Sequence, residues 1–244
     1  MFNLFRKFEK NENEAITQET QFDQVFIVTY GRSGSTLLQK IINSIPGYMI
    51  KGENNGALFH IFRSIKALKD ASHNHGSREP KLARVSSASD SHPWYGIGST
   101  DLDSYSTEAI NAFVRNIIKP DQNIRAYGFK EIRYFGNIQN ITEILEFMRN
   151  NFSNPCFIFN YRNWNDVANS RWWAKQDPDD LKKRLQWFEE ECDKFIQNNT
   201  NRTIILKYDD YSNDVTELKR LFDFLGEDFD KEKIQQIMSQ KLTH

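Results

Sequence analysis

The sequence predicts an α/β fold in three layers, an αβα domain with a central parallel sheet. Short apolar segments typical of buried strands alternate with segments whose apolar residues recur at helical spacing. Strands that alternate with helices form a parallel sheet with helices on both faces. In addition, the first predicted strand leads through a glycine- and serine-rich turn directly into a helix.

Length and composition favour one globular domain. The chain has 244 residues, of which 39% are hydrophobic and 27% charged, enough to bury a core and still carry a cleft. Residues 9–21 are polar, so we expect an N-terminal leader over 1–21 and a single domain over 22–244. The formal net charge of −1 excludes a global positive field that would draw the chain onto nucleic acid or an anionic membrane.

Cysteine use and hydropathy indicate where the protein works. Cys156 and Cys192 are too few for a disulfide framework, and Cys156 lies in an apolar strand-like segment as a small hydrophobic residue. No apolar run reaches the roughly 18 residues of a membrane span, and the first residues lack the apolar core of a signal peptide. We therefore expect a cytoplasmic protein without stable membrane insertion. The sequence leaves the oligomeric state open.

The predicted elements follow from local patterns. The apolar segment Gln24–Thr29 is the first strand, and the helix after it has apolar residues at 37, 38, 41, 42 and 45. The other predicted strands cover 48–50, 124–130, 156–161 and 203–207. The predicted helices cover 35–45, 57–68, 107–119, 138–149, 165–175, 179–197, 214–225 and a last segment from 231.

Residues 70–105 have a different composition. They are rich in Ser, Gly, His and Asp and have few periodic apolar positions. A loop of that length inside a compact domain is more often a lid or a binding loop than a packing element. We therefore expect it to face a substrate.

The turn after the first strand has the features of an anion site. Gly31 and Gly34 let the backbone approach a ligand closely, and the following helix presents unsatisfied N–H groups at the positive end of its dipole. Arg32 adds a planar charged fork. Further hydroxyl donors are Ser33, Ser35 and Thr36. The alternative is that the glycines merely turn the chain and Ser35 caps the helix.

The turn departs from the loop G-x-x-x-x-G-K-[ST] that binds nucleoside triphosphates. Thr29 stands where the first glycine of that pattern would be, and Ser35 replaces the lysine that reaches the β- and γ-phosphates. A kinase or NTPase needs that lysine. A donor whose transferred group is a sulfuryl on one 5′-phosphate needs neither this lysine nor a magnesium ion bridging two phosphates.

Three segments together resemble the PAPS-dependent sulfotransferases, especially the bacterial and carbohydrate-modifying branches with a P-loop-like fold. Residues 31–38 are similar to the family's 5′-phosphosulfate loop. Residues 159–170 resemble its 3′-phosphate motif, with Arg162 at a strand end and Ser170 on the next helix. Residues 206–226 resemble its C-terminal segment. The resemblance implies that PAPS is the donor and PAP the product, with no metal.

The resemblance also implies roles in sulfuryl transfer. Glu53 matches the glutamate that carbohydrate-type enzymes use as the base for the acceptor hydroxyl, and Lys130 matches a lysine that neutralises charge on the transferred sulfuryl. Arg32 would stabilise the leaving phosphate. Tyr208 would lie against the adenine. The alternatives are a surface glutamate at 53 and an exposed strand-end lysine at 130.

Further residues bear on the acceptor site and on metal binding. His60 is the alternative base, although its place in a helix after Glu53 suits substrate contact better, and Arg133 is expected at the cleft edge as a second substrate contact. The histidines at 73, 75 and 92 lack a carboxylate or cysteine partner at metal-ligand spacing. No metal site is predicted.

The sequence thus predicts a sulfotransferase that moves a sulfuryl group from PAPS to a hydroxyl-bearing small molecule or glycan. A carbohydrate or glycoconjugate acceptor is favoured by the glutamate at 53, by Arg32 in the loop and by the lack of a recognisable apolar acceptor pocket. Two alternatives stay open: a P-loop nucleotide kinase or NTPase, and a non-catalytic module that holds PAP or a sulfated glycan.

Overall fold

The computed structural model describes residues 20–75 and 89–240, without the side chains of Arg171 and Trp172. Within these ranges the strands are β1 (Gln24–Thr29), β2 (Tyr48–Lys51), β3 (Ala126–Glu131), β4 (Pro155–Tyr161) and β5 (Thr203–Lys207). The α-helices there are α1 (Ser35–Ile42), α2 (Ala57–His75), α3 (Leu102–Phe113), α4 (Ile141–Asn151), α5 (Trp164–Ala168), α6 (Pro178–Gln197), α7 (Tyr208–Asn213), α8 (Lys219–Leu225) and α9 (Lys231–Ser239).

The strands of the described ranges form one five-stranded sheet in the order β2-β3-β1-β4-β5. Every pairing in it is parallel. β1 lies at the centre. From β1 the chain continues to β2 on one side of the sheet, whereas from the neighbouring strand β4 it continues to β5 on the opposite side. Ligands of open parallel sheets bind at such a point, at the carboxyl ends of the strands.

The two faces of the sheet bury separate apolar clusters. Along β1, Phe26 and Val28 point into one cluster, which contains residues of α2, α4 and α6. Val25 and Ile27 point into the other, which contains residues of α1, α8 and α9. This alternation, with helices on both faces, confirms the three-layer αβα prediction.

Cys156 and Cys192 are buried and form no disulfide. Burial raises the pKa of both thiols well above the ordinary value. Both side chains therefore act as small apolar core residues, as the sequence predicts for Cys156.

Several helix boundaries differ from the sequence prediction. α2 continues to His75 and α3 begins at Leu102. The segment between these helices is therefore shorter than the predicted loop 70–105. Residues 76–88 of that loop lie outside the described part. α3 begins early because Asp101 caps it by accepting a hydrogen bond from the Ser104 N–H at 3.0 Å. Irregular turns also occur between α3 and β3 and between β3 and α4, at Val114–Ile118 and Arg133–Asn140.

The predicted helix 165–175 divides into two parts. α5 ends at Ala168, Ser170 is extended, and a 3₁₀ turn follows at Arg171–Lys175. The Asn169 side chain donates to the Asn165 carbonyl at 2.9 Å, and such side-chain competition weakens a helix end. Ser170 therefore does not lie on a helix, which corrects the sequence prediction.

Candidate active site

The turn after β1 is tied to the neighbouring strand β4. Thr29 Oγ1 donates to the Asn160 carbonyl at 2.6 Å and lies 2.7 Å from Ser33 Oγ. Asn160 Nδ2 donates back to the Ser33 carbonyl at 2.8 Å, and Tyr211 OH donates to Asn160 Oδ1 at 2.9 Å. All four side chains are buried. The turn is therefore fixed by its own polar groups before any ligand binds.

Two residues of the turn have left-handed backbone conformations. Arg32 has φ 70° and Gly34 has φ 82°, a region that costs a residue with a Cβ free energy. At Gly34 space is also excluded, because a Cβ there would lie 2.0 Å from the Tyr208 ring. Position 34 therefore requires glycine for two independent reasons.

Arg32 brings together the two residues predicted to hold a 3′-phosphate. Its Nε donates to Ser170 Oγ at 2.8 Å, and its carbonyl accepts from Arg162 at 3.1 Å. The Arg162 guanidinium also lies 4.7 Å from the centre of the Tyr208 ring. Its buried Nε has no hydrogen-bond partner among the described residues. Such an orphaned buried donor suits an anionic oxygen.

The amino end of α1 adds further donors. Gly34 is the N-cap residue, and no side chain of the described ranges caps the helix. Ser35 is buried and Thr36 half-buried at the first two helical positions. Unsatisfied N–H groups and the helix dipole favour an anion at this point.

Glu53 and Lys130 form an ion pair at the ends of the adjacent strands β2 and β3. Lys130 Nζ lies 2.6 Å from Glu53 Oε1, with the lysine side chain 6% and the glutamate side chain 35% exposed. Lys130 is thus not the exposed strand-end lysine of the alternative interpretation, whereas Glu53 is an exposed residue that is paired with Lys130. The buried lysine orients the carboxylate at the edge of the cleft.

Glu131 anchors the segments on both sides of this pair. Its fully buried carboxylate accepts four backbone N–H groups, from Asn54 at 3.2 Å, Gly56 at 2.9 Å, Ile132 at 2.8 Å and Arg133 at 2.9 Å. The chain after β2 and the chain after β3 are therefore held in one arrangement around Glu53. The sequence gives no local signal for this role, because two of the four donors lie more than 70 residues away from Glu131 along the chain.

A cleft of about 460 Å³ lies between the loop and the ion pair. Its lining includes Gly31, Glu53, Arg133, Phe135, Trp173 and Arg184. Of these, Gly31 belongs to the turn after β1, residues 31–36, which we call the anion loop. Glu53 belongs to the ion pair. The cleft thus places a bound molecule between the loop and the candidate base.

Trp173 joins the loop to the cleft. Its indole N–H donates to the Gly31 carbonyl at 3.1 Å, and its ring meets Phe135 edge to face at 5.6 Å. Trp173 is 7% exposed, so at least one residue of the Trp172-Trp173 pair packs in the core.

The remaining predicted residues are placed differently. His60 is exposed on α2 and is not among the residues that line the cleft, so a role in substrate contact stays a prediction. Tyr208 lies against Gly34 and Arg162, so contact with an adenine also stays a prediction. In the described part of the chain, no group of three or more His, Cys, Asp or Glu side chains is arranged to hold a metal ion.

A buried polar pair supports the loop from behind. Tyr30 OH donates to Glu189 Oε1 at 3.2 Å and accepts from the Arg162 N–H at 2.9 Å. Burial, with a smaller contribution from Glu189, raises the pKa of Tyr30, and burial raises that of Glu189. Glu189 is half-buried, whereas its neighbour Glu190 is exposed. The sequence contains a signal for this burial: Glu189 follows Leu185 by four residues and precedes Cys192 by three, which places it on the buried side of α6.

Comparisons with solved structures show weak overall likeness. The sulfotransferase domain from the curacin biosynthetic pathway is 14% identical over 89% of this chain and 78% of its own, with a TM-score of 0.48. Sulfotransferase STF9 from Mycobacterium avium is 9% identical over 88% and 67%, with a TM-score of 0.44. Thymidylate kinase from Candida albicans is 11% identical over 84% and 93%, with a TM-score of 0.42.

No curated protein matches the chain significantly. Within the described residues, no helix is both long and apolar enough to cross a membrane.

The family comparison gives a positive result, because the model of the sulfotransferase family matches residues 24–231. That range contains the anion loop, the Glu53–Lys130 pair, Arg162, Ser170 and all five described strands. The chain therefore belongs to the sulfotransferase family.

Proposed function

We propose that the protein transfers a sulfuryl group from PAPS to a hydroxyl of a carbohydrate or glycoconjugate. The observation that carries the donor assignment is the convergence of Arg162 and Ser170 on Arg32, within the anion loop. PAPS has two separated anionic ends, the 5′-phosphosulfate and the 3′-phosphate. The loop suits the first, and the orphaned Arg162 donor, with Ser170 held on the same Arg32, suits the second.

In this proposal the loop residues Gly31 to Thr36 bind the 5′-phosphosulfate of the donor, and Arg162 and Ser170 bind the 3′-phosphate. The acceptor hydroxyl oxygen forms a bond to sulfur while the bond from sulfur to the 5′-phosphate oxygen breaks. Glu53 takes the hydroxyl proton. Lys130 and Arg32 balance the charge of the moving group and of the phosphate that departs as PAP.

Ligand binding tests the donor assignment. PAP and ADP carry the same number of phosphates at different positions, so they isolate the 3′-phosphate site. We expect PAP at 100 times its dissociation constant to stabilise the protein by about 2.7 kcal/mol in a thermal shift, with little effect of ADP. Stabilisation by ATP with magnesium and none by PAP would reject the proposal.

The Arg162→Gln variant sharpens this test. Losing a charge-assisted hydrogen bond should weaken PAP binding about tenfold to a hundredfold. The matched control is Arg220→Gln, which removes an exposed arginine on α8. Equal loss in both variants would mean that general charge, and not a 3′-phosphate site, governs binding.

Turnover separates an enzyme from a module that only holds PAP. Glu53→Gln and Lys130→Met should each lower transfer of labelled sulfate roughly 10²- to 10⁴-fold, with PAP affinity nearly unchanged. Lys183→Met, at an exposed position on α6, is the control for removing a lysine. Full activity of Glu53→Gln would exclude Glu53 as the base, and PAP binding by the wild type without transfer to any acceptor would favour the non-catalytic alternative.

A further inference from the structure

The acceptor cleft contains positive charge that the described residues do not neutralise. Arg133 and Arg184 both line it. Its carboxylate Glu53 is already paired with Lys130 at 2.6 Å. Neither arginine forms an ion pair with a described residue: the Arg133 guanidinium has no hydrogen bond there, and Arg184 has only a long contact of 3.4 Å to Gln176 Oε1.

The two arginines are also held in place. The Arg133 backbone N–H donates to the buried Glu131 carboxylate at 2.9 Å, which fixes the root of the side chain at the cleft. The Arg184 guanidinium lies 4.9 Å from the centre of the Phe135 ring. Stacking on an aromatic ring keeps a guanidinium oriented while its N–H groups stay available.

The donor has its own cationic groups. At the loop, Arg162 donates to the Arg32 carbonyl, and the Arg32 side chain donates to Ser170. Arg133 and Arg184 instead share the cleft with Glu53, on the acceptor side. Uncompensated guanidinium pairs of this kind favour a carboxylate, sulfate or phosphate group, which they bind by charge-assisted hydrogen bonds.

We infer that Arg133 and Arg184 select acceptors that carry an anionic group near the hydroxyl to be sulfated, such as a uronic acid or an already sulfated or phosphorylated sugar. This inference rests on the proposed function, because it identifies the cleft as the acceptor site. Phe135 and Trp173, both almost fully buried, form the apolar part of the cleft wall.

The test uses the full chain loaded with PAP and three matched probe pairs. Each pair sets p-nitrophenyl glucoside against an anionic relative: the glucuronide, the glucoside 6-sulfate or the glucoside 6-phosphate. Affinities are measured by calorimetric titration. We expect at least one anionic probe to bind about tenfold or more tightly than the neutral glucoside, and the three pairs distinguish carboxylate from sulfate and phosphate.

Variants assign the effect to the arginines. Arg133→Gln and Arg184→Gln should each remove most of the preference for the anionic probe without changing PAP affinity, and Arg184→Lys should restore part of it. Arg220→Gln is the control and should keep the full preference. Equal binding of anionic and neutral probes, no binding of any anionic probe, or a loss of PAP affinity in place of probe affinity would each overturn the inference.

Failure of the proposed function would look different. If the donor assignment is wrong, wild-type protein does not bind PAP, and the titrations with probe cannot begin from a PAP complex. If the protein only holds PAP, it binds PAP but transfers labelled sulfate to no acceptor. A protein that binds PAP and prefers no anionic probe retains the donor assignment and loses only this inference.

Discussion

The anion loop and the cleft hold their polar groups in opposite ways. In the loop, polar groups are bonded to one another: Asn160 to the Ser33 carbonyl, Arg32 to Ser170, and Arg162 to the Arg32 carbonyl. In the cleft, the guanidinium groups of Arg133 and Arg184 have no carboxylate partner among the described residues. The loop is organised before its ligand arrives, whereas the cleft keeps charge available for one.

This difference fits the two tasks of a transferase. A site for one fixed donor gains from rigidity, because less conformational entropy is lost when the donor binds. An acceptor site gains selectivity from charges that only a suitable acceptor neutralises. We therefore expect substitutions in the loop to affect folding and donor binding together, and substitutions in the cleft to affect acceptor choice.

The largest effect is expected at Gly34. In Gly34→Ala the left-handed backbone would cost about 1–2 kcal/mol, and the added Cβ would collide with the Tyr208 ring at a further cost of about 1–3 kcal/mol. Thermal unfolding should show marked destabilisation, and the PAP-dependent shift should disappear. Gly52→Ala is the control for stability, since a Cβ there meets no atom within 4 Å. Normal PAP binding by Gly34→Ala would mean that the loop is not rigid.

A comparable effect on stability, without the direct loss of PAP binding, is expected from Glu131→Gln. The carboxylate accepts two N–H groups on each oxygen, so an amide would turn its NH₂ toward two of these donors. Leaving buried donors unsatisfied should lower the free energy of unfolding by about 2–5 kcal/mol in urea titrations. Transfer activity should fall as Glu53 loses its support. Glu190→Gln, at an exposed position of α6, should leave stability unchanged, and an equal change in both variants would contradict the anchoring role.

The smallest effect is expected from Glu189→Gln. Burial raises the pKa of Glu189 above its ordinary 4.5, so the folded protein retains the proton that the unfolded chain releases as pH rises. Stability from this group is therefore present below pH 4.5 and is lost as pH rises through the folded pKa. The variant, whose side-chain oxygen still accepts from Tyr30, should be slightly more stable than wild type at neutral pH and equal to it near pH 4. Melting curves across this range test it, and a constant difference would contradict the linkage.

Much of the fold was predictable because its signals are local. β1 and β5 have the predicted bounds, and α9 begins at the predicted Lys231, since apolar runs and turn residues delimit these elements. The anion loop was recognisable from glycine and hydroxyl residues in sequence. Helices that depend on single side chains were harder: Asp101 begins α3 earlier than periodicity indicates, and Asn169 ends α5 before Ser170.

The site residues that the sequence missed depend on contacts between distant segments. Arg184 lies in the middle of an amphipathic helix, where an arginine usually faces solvent, and only its position over Phe135 brings it to the cleft. Glu131 accepts hydrogen bonds from the backbone of Asn54 and Gly56, which lie far from it in the sequence. Ser170 and Arg162 both bond to Arg32, and their role in holding a 3′-phosphate stays a prediction. The predicted helical setting of Ser170 is wrong.

Trp173 restricts how this enzyme could acquire new acceptors. Its indole N–H donates to the Gly31 carbonyl, and its ring packs against Phe135. Trp173 therefore contacts both the anion loop and the cleft. Exchanging it would alter the donor loop whatever it did for the acceptor. Evolution or a protein engineer would therefore have more freedom at Arg133 and Arg184, where a new preference can arise without loss of the donor.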